Sequence, residues 1–378
     1  MWVNRRQVLW GAGGLTLAQP GSAMAAEADD FADFDTAMAR RLAGALPIRS
    51  SLAVAYRGRL VHAGGYGGAA AGDRFLLAST SKAITAAAIT TLVQDSKLTL
   101  ETSVGDALAG LFARYGPPRD RRVKGLTVHQ LLTHTAGLAT TGERDPTLGS
   151  ALIGLLADKA PDRLTKLDLF RHALGVDLQA PPGQGYLYSN LGYLYLGLIV
   201  EMATEQRYET YCQARVLHPA GVAGAAIDPD LGFADAFGGW TMSAPALVKF
   251  LQIFEPGNPA VLGGRFHRFL QTPSAAEVPL PDGGMAYYTL GLYLRRDGAG
   301  PVWWHPGALE FHSATLNRST ASLIARGDNG ASWAALYTPQ PSLGPPGRID
   351  FLATARQIQH WPAVDQFPRF GLPPGPRD

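Results

Sequence analysis

The sequence predicts an α/β (α+β) fold: an antiparallel sheet flanked by N- and C-terminal helices and interrupted by an inserted, mainly helical domain. Three observations predict it. Strand-like runs gather toward both ends of the 378 residues, at Ser51–Tyr66 and between Tyr287 and Tyr337. Helical periodicity fills most of the stretch between them. A helix that is apolar on nearly every side starts at Ser79, and such a helix belongs inside a protein. With 46% hydrophobic and 17% charged residues, the chain has material for a large core and none of the compositional marks of disorder.

Taken in order, residues 1–25 read as an export signal: Arg5 and Arg6, an apolar run over Val8–Ala18, and Ala23-Met24-Ala25 as a small-residue cleavage site. The paired arginines resemble a twin-arginine signal. A mature chain starting near Ala26 in the periplasm is therefore expected, with an uncut N-terminal anchor as the alternative. No later apolar run reaches the roughly 18 residues a spanning helix needs. No stable membrane span is expected after cleavage.

Residues 26–95 form the first part of the α/β domain. Ser51–Tyr66 is two apolar runs broken at Arg57-Gly58-Arg59, the punctuation of a hairpin. The apolar helix follows, with Ala83, Ile84, Ala86, Ala87, Ala88, Ile89, Leu92 and Val93. Residues 96–284 form the helical insert, with periodic runs at Val128–Leu132, Leu152–Leu156, Leu191–Met202 and Tyr208–Val216. Residues 285–362 return to strands at Tyr287–Arg295, Val302–His305, Ser313–Asn317 and Ser332–Tyr337, with turns at Asp297-Gly298 and Asp328-Asn329-Gly330. A closing helix places Phe351, Leu352, Ala355 and Ile358 on one face. Residues 363–378 are Pro-rich and are expected to be a loose tail.

A formal net charge of +2 with scattered positive residues leaves no basic stripe for nucleic acid. Cys212 is the only cysteine, which excludes an internal disulfide or a multi-thiolate metal site. The absence of an H-E-x-x-H pattern argues against a zinc hydrolase. Gly330-Ala331-Ser332-Trp333-Ala334 fails the last position of a G-x-S-x-G elbow, which disfavours a conventional α/β-hydrolase.

Chemistry is expected at Ser79-Thr80-Ser81-Lys82. Residues three apart on a helix share a face, so a hydroxyl and an amine meet there. Lys82 is the sole charge in an apolar helix, and desolvation favours its neutral, basic form. Ser79 is then a nucleophile with its own base, and N–H groups at the helix start can stabilise an oxyanion. Tyr188-Ser189-Asn190 places a phenol and an amide on the same side of an extended segment. Each motif has a plainer reading: Asn190 as a helix cap with Tyr188 packed, and His305-Pro306-Gly307 as the structural end of a strand.

In their joint order these motifs resemble the serine β-lactamase and penicillin-binding-protein superfamily, particularly its class C β-lactamase and esterase branch. The resemblance extends through most of residues 45 to 340, and includes Phe75–Lys82, Leu126–Leu138 and Pro182–Tyr193. It implies a β-lactamase/transpeptidase-like fold. It implies acylation of Ser79, proton uptake by Lys82, and proton shuttling by Tyr188. Asn190 would orient Lys82 and bind substrate, His305 and Gly307 would stand at the third motif, and the N–H groups of Ser79 and Ala308 would form the oxyanion hole. No metal or organic cofactor is implied, and His129 and His134 look structural. The expected partner is a small-molecule ester, amide or peptide substrate; the sequence carries no sign of oligomeric state.

The third motif departs from its relatives. Pro306 supplies neither a hydroxyl nor an N–H for a substrate carboxylate. Phe311 replaces an expected glycine at the cleft rim, and Trp303 and Trp304 add apolar bulk. An ester or amide with an apolar acyl part is therefore expected. The alternatives are a D,D-peptidase or class C-type β-lactamase, and a weakly catalytic binding or sensor homologue.

Overall fold

The computed structural model describes residues 35, 36, 38, 48–138, 145–271, 276–280, 283–297, 300–339, 355, 358 and 360–375. The expected export signal, Gly298, Phe351 and Leu352 lie outside the described residues. Of the two flanking helices few positions are described, among them Met38 and Ala355, both buried in the core.

The main sheet is antiparallel. It contains β1 (Arg49–Tyr56), β2 (Arg59–Tyr66), β6 (Glu277–Pro279), β7 (Met285–Tyr288), β8 (Tyr293–Asp297), β9 (Gly300–His312), β10 (Asn317–Gly327) and β11 (Ala331–Thr338), in the order β2-β1-β11-β10-β9-β8-β7-β6. The two ends of the chain meet where β1 pairs with β11, Leu52 opposite Ala335 and Val54 opposite Trp333. The first hairpin turns at Arg57-Gly58, both at positive φ, as a two-residue turn between right-twisted strands demands.

Two strand expectations are corrected. Tyr287–Arg295 is not one strand but two, because Thr289 N–H donates to Leu292 O and closes a turn between β7 and β8. Ser313–Leu316 is instead the β9–β10 turn, with Asn317 opening β10, and in it the Ser313 hydroxyl accepts from Leu316 N–H. β10 itself runs farther, because alternation cannot reveal a strand covered on both faces: Thr320 through Gly327 are all buried. The tail is also corrected. The Asp365 carboxylate accepts from the edge-strand Leu60 N–H and from Gly375 N–H, Phe367 is fully buried, and Trp361 stacks on Tyr56 at 4.3 Å.

The apolar helix, α1 (Ser81–Gln94), buries every residue from Ser81 to Leu92. After it come α2 (Val104–Ala107), α3 (Ala109–Tyr115), α4 (Val128–Leu132), α5 (Gly149–Asp158), α6 (Lys166–Ala173), α7 (Asn190–Thr204), α8 (Tyr208–Cys212), α9 (Ala244–Leu251) and α10 (Gly264–Gln271). α1 packs against α7 and α8, whereas α9 lies on β1, β2, β10 and β11. The stretch also holds a small sheet, in which β5 (Trp240–Ser243) pairs with β3 (Arg74–Leu76) on one side and β4 (Ala226–Ile227) on the other.

One buried ionic network fixes the loop between η-turn Pro229–Ala234 and β5. Lys166 Nζ stands 2.7 Å from Glu201 and 2.8 Å from Asp235. Beyond Asp235, Ala236 O accepts from the Thr85 hydroxyl on α1 at 2.6 Å. Removing one partner of a buried pair leaves the other charge unpaired, at a cost of about 3–5 kcal/mol. Lys166→Ala is therefore expected to lower stability by about 3 kcal/mol in urea unfolding; an unchanged midpoint would show that the network is not holding this loop.

Candidate active site

Ser79 lies in a tight turn, Ala78–Thr80, immediately before α1. Ala78 has φ +46°, a left-handed conformation that costs a side-chain-bearing residue about 1–2 kcal/mol. The surrounding sheet holds it there. On β10, Thr320 and Ser322 share a face, and their hydroxyls donate to Leu76 O and Leu77 O at 2.8 and 2.6 Å. Gly307 on β9 completes the clamp. A Cβ there would collide with Ser322 Oγ and Leu77 O, so only glycine lets the strand approach the turn.

Lys82 is fully buried. Its Nζ is 3.0 Å from Ser79 Oγ and donates to Phe237 O at 2.9 Å, with the rings of Tyr188, Tyr193 and Phe237 around it. Burial holds its pKa well below the ordinary 10.5, against a smaller opposite pull from Asp145. Desolvation thus favours the neutral amine, in which one N–H serves the Phe237 carbonyl and the lone pair can accept the Ser79 proton.

Tyr188 reaches the same oxygen from the other side, its hydroxyl donating to Ser79 Oγ at 2.9 Å. Burial raises its pKa well above 10.0, so the phenol stays protonated. Asn190 begins α7 and lines the cleft. Its Oδ1 is buried without a hydrogen-bond partner. The second partner of Lys82 is thus the Phe237 carbonyl rather than Asn190, and among the described residues none donates to the amide oxygen.

His305 does not face the substrate space. It is 1% exposed, Nε2 meets Tyr288 Oη at 2.9 Å, and Nδ1 meets Pro306 O at 2.6 Å. Burial, helped by Lys82, pushes its pKa down to about 3, so it stands neutral. Gly307 lies beneath the Ser79 turn. Ala308, one residue on, turns outward and lines the cleft beside Ser79.

The cleft has a volume of about 370 Å³, within the range of small-molecule sites. Its apolar walls are Leu148, Leu152 and Ile153 from α5 and the segment before it, Leu231, Phe233 and Phe237, and Phe311 on β9, with Thr147, Asn190, Glu310 and His312 as polar lining. Sequence reasoning missed Phe237 and Asp145 and read His134 only as structural. Phe237 acts through its backbone, which no side-chain pattern reveals. Asp145 is buried with one oxygen unpartnered, and burial pushes its pKa up to about 6. His134 packs on Tyr188, its ring 4.3 Å away. Among the described residues no group of three or more His, Cys, Asp or Glu is arranged to hold a metal.

Two expectations follow. A lysine titrating at 10.5 would make Ser79 labelling by a fluorophosphonate accelerate about tenfold per pH unit from roughly pH 7 to pH 10. Because burial lowers its pKa, the neutral amine forms at lower pH, and the labelling rate should level off well before pH 10. Gly307→Ala should cost about 1–3 kcal/mol by overpacking and slow labelling, measured by thermal unfolding and gel fluorescence.

A family model described as Beta-lactamase matches residues 31–342. Protein flp of Staphylococcus aureus is 29% identical over 146 residues, which cover 39% of this chain and 26% of that protein. The chain thus spans about a quarter of that relative's length. Among solved structures, the D-amino acid amidase of Ochrobactrum anthropi SV3 superposes with a TM-score of 0.68 at 19% identity, over 88% of this chain and all of that one. A D-stereospecific amidohydrolase from Streptomyces sp. superposes with a TM-score of 0.67 at 19% identity, covering 82% of this chain and 94% of that one. At such identities the superpositions speak for the fold, and they agree with a family match across most of the chain: this protein belongs to the Beta-lactamase family.

Proposed function

We propose that this protein is a serine hydrolase that forms an acyl-Ser79 intermediate on an ester or amide with an apolar acyl part. One observation carries the reading: Lys82 Nζ and Tyr188 Oη both lie within 3.0 Å of Ser79 Oγ, at the wall of an apolar cleft. The neutral amine takes the Ser79 proton as Oγ bonds to the substrate carbonyl carbon. The carbonyl oxygen becomes an oxyanion facing the N–H groups of Ser79 and Ala308. Tyr188 delivers a proton to the departing alcohol or amine and is resupplied from the Lys82 ammonium. Water then attacks the acyl-enzyme, its proton returning by the same groups.

The third motif supports the choice of substrate. A penicillin or a peptide C-terminus presents a carboxylate, and a neutral imidazole bonded through both nitrogens beside a proline has nothing to hold it. The apolar walls favour an acyl chain or ring instead. The reading includes export to the periplasm on the N-terminal signal.

Wild type and Ser79→Ala, tested on p-nitrophenyl esters of increasing acyl length and on nitrocefin, decide the matter. Wild type should turn over the esters, prefer acyl groups longer than acetyl, and hydrolyse nitrocefin at least about a hundredfold less efficiently, as a missing polar contact predicts. Ser79→Ala should fold and do neither. Ester turnover surviving in that variant, or nitrocefin outpacing every ester, would refute the reading.

A further inference from the structure

His134 follows α4 at φ +57°, in the left-handed region where histidine is among the commoner non-glycine residues. The consequence is that its backbone and its ring both face one short segment. Leu187 N–H donates to His134 O at 2.7 Å, and Ser189 N–H donates to His134 Nδ1 at 3.2 Å. The residue between them is Tyr188, and the imidazole lies 4.3 Å from the Tyr188 ring. His134 therefore grips both neighbours of the tyrosine and packs on its side chain.

The state of the ring shows which part of it matters. An acceptor at Nδ1 requires the neutral tautomer with the proton on Nε2. Nε2 is buried without a hydrogen-bond partner, with the rings of Tyr186, Tyr193 and Tyr288 packed around the imidazole. That orphaned N–H is a cost that phenylalanine or leucine would avoid. The one thing histidine supplies here that an apolar ring does not is the Nδ1 acceptor for Ser189. Burial, with smaller contributions from Lys82 and His305, holds the ring well below 6.5, so the acceptor survives across the working range of pH.

We infer that His134 is a positioning residue for Tyr188: it fixes the 187–189 backbone so that the phenol hydroxyl meets Ser79 Oγ. The inference rests on the acyl-Ser79 reading. A hydroxyl displaced by an ångström costs about a hundredfold in rate, although His134 itself makes no hydrogen bond to Ser79 or Lys82.

The test is a double-mutant cycle between the two residues. Turnover of a p-nitrophenyl ester and the fluorophosphonate labelling rate are measured for wild type, His134→Phe, His134→Asn, Tyr188→Phe and the Tyr188→Phe/His134→Phe double variant, with thermal unfolding as the control for folding. His134→Phe keeps a ring but loses the acceptor, so kcat should fall about tenfold to a hundredfold with KM within about twofold. His134→Asn keeps an oxygen acceptor near the Nδ1 position and should stay within about fivefold of wild type. In the Tyr188→Phe background the His134→Phe change should cost less than about twofold. An equal loss in both backgrounds, or an Asn variant as impaired as the Phe variant, would overturn the assignment. Should His134→Phe unfold, His134→Leu serves in its place; should Tyr188→Phe turn over too slowly, the labelling rate supplies the cycle. Turnover retained by Ser79→Ala would instead sink the acyl-enzyme reading, so the two failures are told apart.

Discussion

A lysine amine is held in an apolar interior with no carboxylate bonded to it, and the chemistry of the site depends on that arrangement. Lys82 lies on a helix whose neighbours are alanine, isoleucine and threonine, and among the described residues its hydrogen-bond partners are the Ser79 hydroxyl and the Phe237 carbonyl. Desolvation of an ammonium costs several kcal/mol even after relaxation. The neutral amine avoids that cost, and a neutral amine is a base. Lys166 makes the contrast within the same molecule. It is nearly as buried, and burial pulls its pKa down too, but Asp235 and Glu201 more than offset this and keep it charged. Two buried lysines thus shift in opposite directions, because one has carboxylate partners and the other has a carbonyl and a hydroxyl.

The two lysines are also connected. Asp235, paired with Lys166, begins the stretch whose next two carbonyls accept from Thr85 and Lys82. The ionic network therefore sets the position of the carbonyl that receives the basic amine. On the opposite side, hydroxyls of β10 hold the strained turn under Ser79, and Gly307 lets β9 close against it. Ser79 is gripped from the sheet and Lys82 from the Asp235–Phe237 stretch, and the cleft is lined from both.

The third motif shapes what enters the cleft. Because β9 alternates its faces, His305 turns into the core, where it bonds Tyr288, while Ala308 turns out beside Ser79. A buried imidazole held near a pKa of about 3 carries no charge at any ordinary pH. Leucine, isoleucine and phenylalanine supply most of the apolar cleft wall, with Thr147, Asn190, Glu310 and His312 as its polar lining.

Much of this was legible in the sequence. The Arg57-Gly58 hairpin, the apolar helix and the one-turn spacing of Ser79 and Lys82 are local facts: periodicity and turn chemistry report them directly. The joint order of Ser79, Tyr188 and the His305 segment gave the family. Long-range partners were not legible. The Phe237 carbonyl, the Thr320 and Ser322 hydroxyls and the Asp365 anchor of the C-terminal segment carry no pattern, since a backbone acceptor or a single buried hydroxyl looks like any other until the chain is folded. The direction of His305 was likewise undecided, because a strand read in isolation does not say which face is covered. The sequence by itself determined which groups could react and that the lysine would be desolvated, since composition and spacing act over one or two helical turns. Only the tertiary structure decided what each group meets, because the contacts of Ser79 with Tyr188 and of Lys82 with Phe237 join residues more than a hundred positions apart, and only packing brings them together.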